Sequence, residues 1–385
     1  GLVPVANAVV MMREEDTLFD DQYGEVATGA NGSYSFSFCD DDGVFDDELE
    51  IYVRLRAELK SGSRTVVEVE DSSYIDEVYE FDSNVIDTEG GSYTINWDLE
   101  GERAQIFNIA DAAFQAWSFW NESGGDSNGD AIFDEAAEIH FEPGYGDTGS
   151  YYSSTWGEIT VADTGDLDAW DDGVIMHEWG HMADDEYGCD DNGGGPHNID
   201  QFLTDLELAW GEAYPDYYQS AIRATRSYTN ASFYLDMTAM GTPGISEDLE
   251  NYDTNKPTLI AGNYELAIAA MLWDMNDGNQ DARVVAGMPQ DPRDRVAHGH
   301  QMVQRVYTDP TFESNGDVFD DTCTLWVYLQ SWVDMNLPTD APTAEAVTKN
   351  VGPSNPLQNA VAGAGAVAAD AGAAARFEYQ TLAEY

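Results

Sequence analysis

Residues 174–188 read VIMHEWGHMADDEYG, and the two histidines in that stretch decide how the rest of the chain is read. His177 and His181 lie four apart, so on a helix both imidazoles leave the same face and can grip one metal ion. Glu178 sits one position on, about 100° around the helix, where its carboxylate can reach a water at the metal without being a ligand. Neutral imidazole suits Zn²⁺, and a catalytic zinc needs a third protein ligand plus one open position. Asp171 or Asp172 can cap the start of this helix.

A third histidine six residues after His181 would complete an all-histidine set, but Tyr187 stands there. A carboxylate from a second helix is the other solution. The segment LELAWGEAYPDYY (206–218) offers Glu212, with Asp216 one turn later. That spacing places a second carboxylate where it can accept the remaining ring N–H of a ligating histidine. Pro215 stands inside this helix and is expected to kink it, which would shift Glu212. His197, in GGPHN (194–198), is read as ordering the intervening acidic loop or lining the cleft, and Glu265 as a buried structural carboxylate.

Fifteen Lys and Arg against 74 Asp and Glu give a net charge of −59. Such a field repels nucleic acid and anionic membrane surfaces. Two readings of the excess stay open: a solvated acidic surface suited to high salt, and dedicated Ca²⁺ sites. For the second, DSNGDAIFDE (126–135) sets Asp126, Asn128, Asp130 and Asp134 as alternating oxygen ligands of an EF-hand-like loop, although Ala137 replaces the twelfth-position Glu. No run of about 18 apolar residues exists, so no membrane span is expected. Three cysteines (Cys39, Cys189, Cys323) allow one internal disulfide. The sequons at Asn31, Asn121 and Asn230 fit an exported, extracellular protein.

The expected organisation is multi-domain. Residues 1–98 carry β-rich runs (PVANAVVMM, SYSFSF, LEIYVRLRAEL, RTVVEVED, EVYEF, SYTINW) separated by Gly, Asn and Asp, the pattern of an N-terminal all-β sandwich. From Glu102 the period changes: ERAQIFNIADAAFQAWSFW is an amphipathic helix opening an α+β, mainly helical domain over 99–337. Within it AEIHFEP and WGEITVAD are strand candidates, and further helices are expected at about 200–224, 263–276, 294–307 and 318–335. Residues 338–385 form an Ala/Gly-rich C-terminal tail, expected to dock on its own domain or on a neighbouring subunit.

The segments HEWGH (177–181), GGPHN, AWGEAYPD (209–216) and NYELAIAAMLWDMND (263–277) resemble the gluzincin, thermolysin-like metallopeptidases. They resemble more closely a group of secreted bacterial and archaeal proteins carrying HEYGH…H…AWSEGWAD, over roughly 102–335. The first strands, GLVPVANAVV…TGANGSYSFSF, are similar to transthyretin-like or carboxypeptidase-regulatory-like sandwiches. The gluzincin resemblance implies a zincin-like fold, zinc held by His177, His181 and Glu212, Glu178 as the base, and hydrolysis of peptide or protein substrates. The developing oxyanion then needs a donor besides the metal. Candidates are His298 and His300 in AHGHQ, or a tyrosine. The strand WGEITVAD is expected as the edge on which extended substrate lies. Two alternatives stay open. One is a structural, self-assembling surface protein whose tail and sandwich strands join homo-oligomers or filaments, with little or no turnover. The other is a binding module that uses the cleft alone.

Overall fold

The structure is a computed structural model. It describes residues 4–15, 20–37, 49–71, 77–88, 91–124, 136–144, 149–164, 167–189, 194–239, 242–250, 252, 261–276, 296–318, 322–352 and 355–360. The candidate calcium loop with Asp126, Asn128, Asp130 and Asp134, the residue Cys39 and the end of the tail beyond 360 lie outside the described residues.

The architecture is α+β, with strands concentrated in the N-terminal part and helices in the C-terminal part. Six strands come first: β1 (Ala8–Glu14), β2 (Asp21–Ala27), β3 (Leu49–Ser61), β4 (Arg64–Glu70), β5 (Glu80–Asp82) and β6 (Ile86–Thr88). Helix α1 (Glu102–Glu122) leads to β7 (Ala137–Phe141), β8 (Tyr151–Ser153) and β9 (Glu158–Val161). Among the described residues these nine strands form one sheet, ordered β2-β1-β3-β4-β7-β9-β8, with β5 and β6 also on β3. The expected division at 98/99 is therefore no break in the hydrogen bonding. β4 pairs in parallel with β7, and β7 in parallel with β9. Among the described residues the N-terminal strands do not form two facing sheets, because β5 and β6 pair along the same edge of β3 as β4. SYTINW and the described part of SYSFSF carry no ladder, and DQYGEVA, unremarked in the sequence, supplies β2.

Strand alternation gives the sheet two unlike faces. Val67, Val69, Ile139 and Ile159 are fully buried and share their core with Ile106, Phe107, Ala110 and Ala113 of α1. On the other face a row of glutamates crosses four adjacent strands in register: Glu58 opposite Glu68, Glu68 opposite Glu138, Glu138 opposite Glu158. Arg56 and Lys60 flank the buried end of that row, with Arg56 Nη1 2.8 Å from Glu58. Burial raises the Glu68 carboxyl above its ordinary value, and the neighbouring Glu58 adds to the shift.

The helical part holds α2 (Asp172–Tyr187), α3 (Leu206–Thr225), α4 (Glu265–Asn276), α5 (His300–Tyr307), α6 (Pro310–Val318), α7 (Leu325–Asp334) and α8 (Ala341–Val351). Between α3 and α4 a hairpin, β10 (Phe233–Ala239) and β11 (Thr242–Asp248), forms a separate two-stranded sheet. Asp171 caps α2 by accepting from Gly173 N at 3.0 Å, and its other oxygen accepts from Met237 N at 2.9 Å. One carboxylate thus starts the helix and holds the hairpin beside it. The tail begins docked on its own chain: Asn350 of α8 donates to Asp274 of α4 at 2.6 Å. Among the described residues no helix is long and apolar enough to cross a membrane.

Candidate metal centre

Helix α2 is buried from Gly173 to Gly180, which is why its sequence lacks a clean polar stripe: it is enclosed on every side rather than lying on a surface. Helix α3 packs across it at Gly180. A Cβ built on Gly180 would stand 3.0 Å from both Cα and Cβ of Pro215, so any larger residue there presses on the proline. Pro215 is the contact surface, and α3 continues through it to Thr225. The expected displacement of Glu212 does not occur.

His177, His181 and Glu212 come together as a triangle. The two Nε2 atoms are 3.1 Å apart, and Glu212 Oε2 is 3.6 Å from that of His177 and 3.3 Å from that of His181. Zinc bonds of about 2.0–2.1 Å in tetrahedral geometry require ligand–ligand edges of about 3.3–3.4 Å, so the three atoms fit one such ion with a fourth position open. Asp216 stands 3.0 Å from Nδ1 of His177 and is fully buried. Its carboxylate faces the ring nitrogen that points away from the triangle, the place of a supporting carboxylate at a metal-ligating histidine.

The electrostatics suit a cation. Burial disfavours protonation of His177, but Asp216 and Glu212 outweigh it and lift the imidazole well above its ordinary value. Burial likewise opposes ionisation of Glu212, yet His181 and His177 hold it well below the usual carboxylate range. A metal ion bound there would take the place of those protons and release them. Glu178 is buried in the same helix, and its charge is felt at both imidazoles.

Three further groups flank the triangle. His197 Nε2 is 3.8 Å from Glu212 Oε2 and 3.1 Å from Glu265 Oε2, while its Nδ1 lies 2.9 Å from Gly195 O. The Glu265 hydrogen bond pushes His197 up to about 9, against burial. Tyr234, on β10, places its ring 5.6 Å from that of His177. Burial lifts its hydroxyl well above the ordinary value, with Asp216, Asp236 and Glu178 adding to the shift, so it is a neutral donor. The alternation in FYLDMTA (233–239) was the available signal for this strand.

His298 and His300 are engaged elsewhere. His300 lies 2.7 Å from Tyr217 Oη through Nδ1 and 2.9 Å from Gln304 through Nε2, with its ring 4.2 Å from that of Phe119. Burial drives it down to about 3, which makes it a neutral core residue. His298 lies 3.0 Å from Thr343 Oγ1 of α8 and packs on Trp332. Neither is placed to assist at the triangle. The edge strand also differs from the expectation: WGEITVAD forms β9, which pairs on both sides, and β8 is the edge. Tyr152 of β8 ties that edge to α2 through Asp185 at 2.6 Å. A disulfide joins Cys189, just after α2, to Cys323, just before α7.

No protein-family model matches the chain. A stretch of 134 residues is 32% identical to an uncharacterised protein of Archaeoglobus fulgidus. That match spans 34% of this chain and 34% of the archaeal protein, so the chain is related to about a third of its relative's length.

Proposed function

We propose that this chain is a zinc-dependent metallopeptidase with a zincin-like catalytic region, acting outside the cell. The observation that carries the reading is the spacing of His177 Nε2, His181 Nε2 and Glu212 Oε2 as three corners of a tetrahedron. Zinc bound there supplies Lewis-acid polarisation of the scissile carbonyl and a more acidic water. Glu178 accepts the proton of the attacking water and returns it to the leaving amine. Tyr234 donates to the oxygen on which charge develops, the role first considered for His298 and His300. The His197–Glu265 pair keeps a second positive group beside Glu212. Extended substrate lies along the outer edge of β8, where backbone groups accept an added strand. The disulfide supports an oxidising, extracellular setting.

The test measures bound zinc and peptide hydrolysis together. One zinc per chain is expected, with hydrolysis of casein or a mixed peptide pool that a chelator abolishes. Glu178→Gln should keep the zinc and lose hydrolysis by about 10²–10⁴-fold. Tyr234→Phe should lower kcat with zinc retained. Zinc bound without turnover of any peptide defeats the enzyme reading and leaves a structural or binding role.

A further inference from the structure

Away from the metal centre, a cavity of about 550 Å³ opens between the sheet and the first half of α1. Its size is that of a small-molecule site. Four aromatic residues line it, Tyr34, Trp97, Phe107 and Trp170, together with two carboxylates, Asp98 and Asp111. No Lys, Arg or His is among the described lining residues. We propose that this cavity binds an organic cation, an alkylated ammonium on a small apolar body.

Aromatic faces attract cations through their quadrupole, and alkylated ammonium groups are the ions such walls recognise. The carboxylates supply the matching charge. Asp98 is exposed and Asp111 partly buried. Asp111 accepts from the Gln115 amide at 2.7 Å, a neutral partner. Burial raises its carboxyl; the Gln115 bond opposes this and the like charge of Asp172 adds to it. A cation entering the cavity would offset the cost of holding the Asp111 carboxylate ionised there. The wall is also joined to the start of α2. Gln115 accepts from Tyr228 Oη at 3.2 Å, and the same hydroxyl reaches Asp172 at 2.7 Å. Asn108, another lining residue, donates to Asp172 at 2.9 Å. An occupant therefore touches the hydrogen-bond network that surrounds the first residue of α2.

Calorimetric titration of the intact chain with choline, and with its neutral isostere 3,3-dimethylbutan-1-ol, tests this directly. Choline should bind at one site, and the isostere at least about tenfold more weakly. Asp111→Asn and Trp97→Leu should each weaken choline about fivefold or more, with melting temperature and zinc content unchanged. Asp98→Asn, at an exposed position, serves as the variant least able to disturb folding and should weaken choline as well. Equal binding of the two probes, choline binding untouched by all three variants, or no choline binding at all overturns the proposal.

Discussion

The metal centre and the outer face of the sheet both crowd carboxylates together, and they resolve the repulsion in opposite ways. At the centre, Glu178, Asp216 and Glu265 are buried and Glu212 nearly so, gathered around three histidines, with no Lys or Arg among the described residues that contact the triangle. On the sheet, Glu58, Glu68, Glu138 and Glu158 stand in register, and Arg56 and Lys60 meet the row at its Glu58 end. Basic residues number 15 in the whole chain. Where they are placed, at the Glu58 end, the acid is ion-paired. At the triangle, the acids face imidazoles instead.

The strongest way to break this contrast is to remove the cation. Glu212→Gln should abolish zinc binding, and at zinc a thousandfold above the wild-type dissociation constant it should forfeit about 4 kcal/mol of apparent stability. Chelation of the wild type should cause the same fall, read from unfolding curves; unchanged curves would mean that the triangle holds no ion. A smaller effect concerns His300, a buried imidazole with no charged partner. Its folded value is lowered to about 3, chiefly by burial. Its contribution is therefore complete above about pH 6.5 and is lost as the pH falls towards 3. At pH 4.5 the penalty is about 2–3 kcal/mol, and His300→Met should flatten that part of the pH–stability curve seen in urea titrations. Gly180→Ala should cost about 1–3 kcal/mol by forcing α2 from Pro215, with weaker zinc binding as the companion reading. The smallest effect belongs to the sheet. Glu138→Gln relieves repulsion with both neighbours and should stabilise the fold by about 0.2–1 kcal/mol at low ionic strength. That gain should shrink in molar salt, which screens the row.

His177, His181, Glu212 and Asp216 were legible because helical periodicity converts a spacing of four into a shared face, on α2 and again on α3. The amphipathic α1 was legible for the same reason. Pairing between strands was not. Nothing local in RTVVEVED or AEIHFEP says that β4 and β7 lie in parallel across α1, so a boundary at 98 followed naturally from the change of period. The same limit exchanged β9 for β8 as the edge. His298 and His300 were misread because a sequence shows that a residue can titrate, not that Phe119, Tyr217 and Gln304 enclose it. Pro215 looked like a defect in α3 until its neighbour was known to be Gly180.

That contact has a consequence for which ions the protein accepts. Backbone against proline ring sets how closely α2 and α3 approach, so the ligand triangle is a mould set by steric packing. A mould with edges of 3.1–3.6 Å and two imidazole corners fits an ion with bonds of about 2.0 Å. Ca²⁺, which takes six to eight oxygens at about 2.3–2.6 Å, would fit the same geometry poorly. In a chain with 74 acidic residues, the proposed zinc site would owe its selectivity to a glycine and a proline.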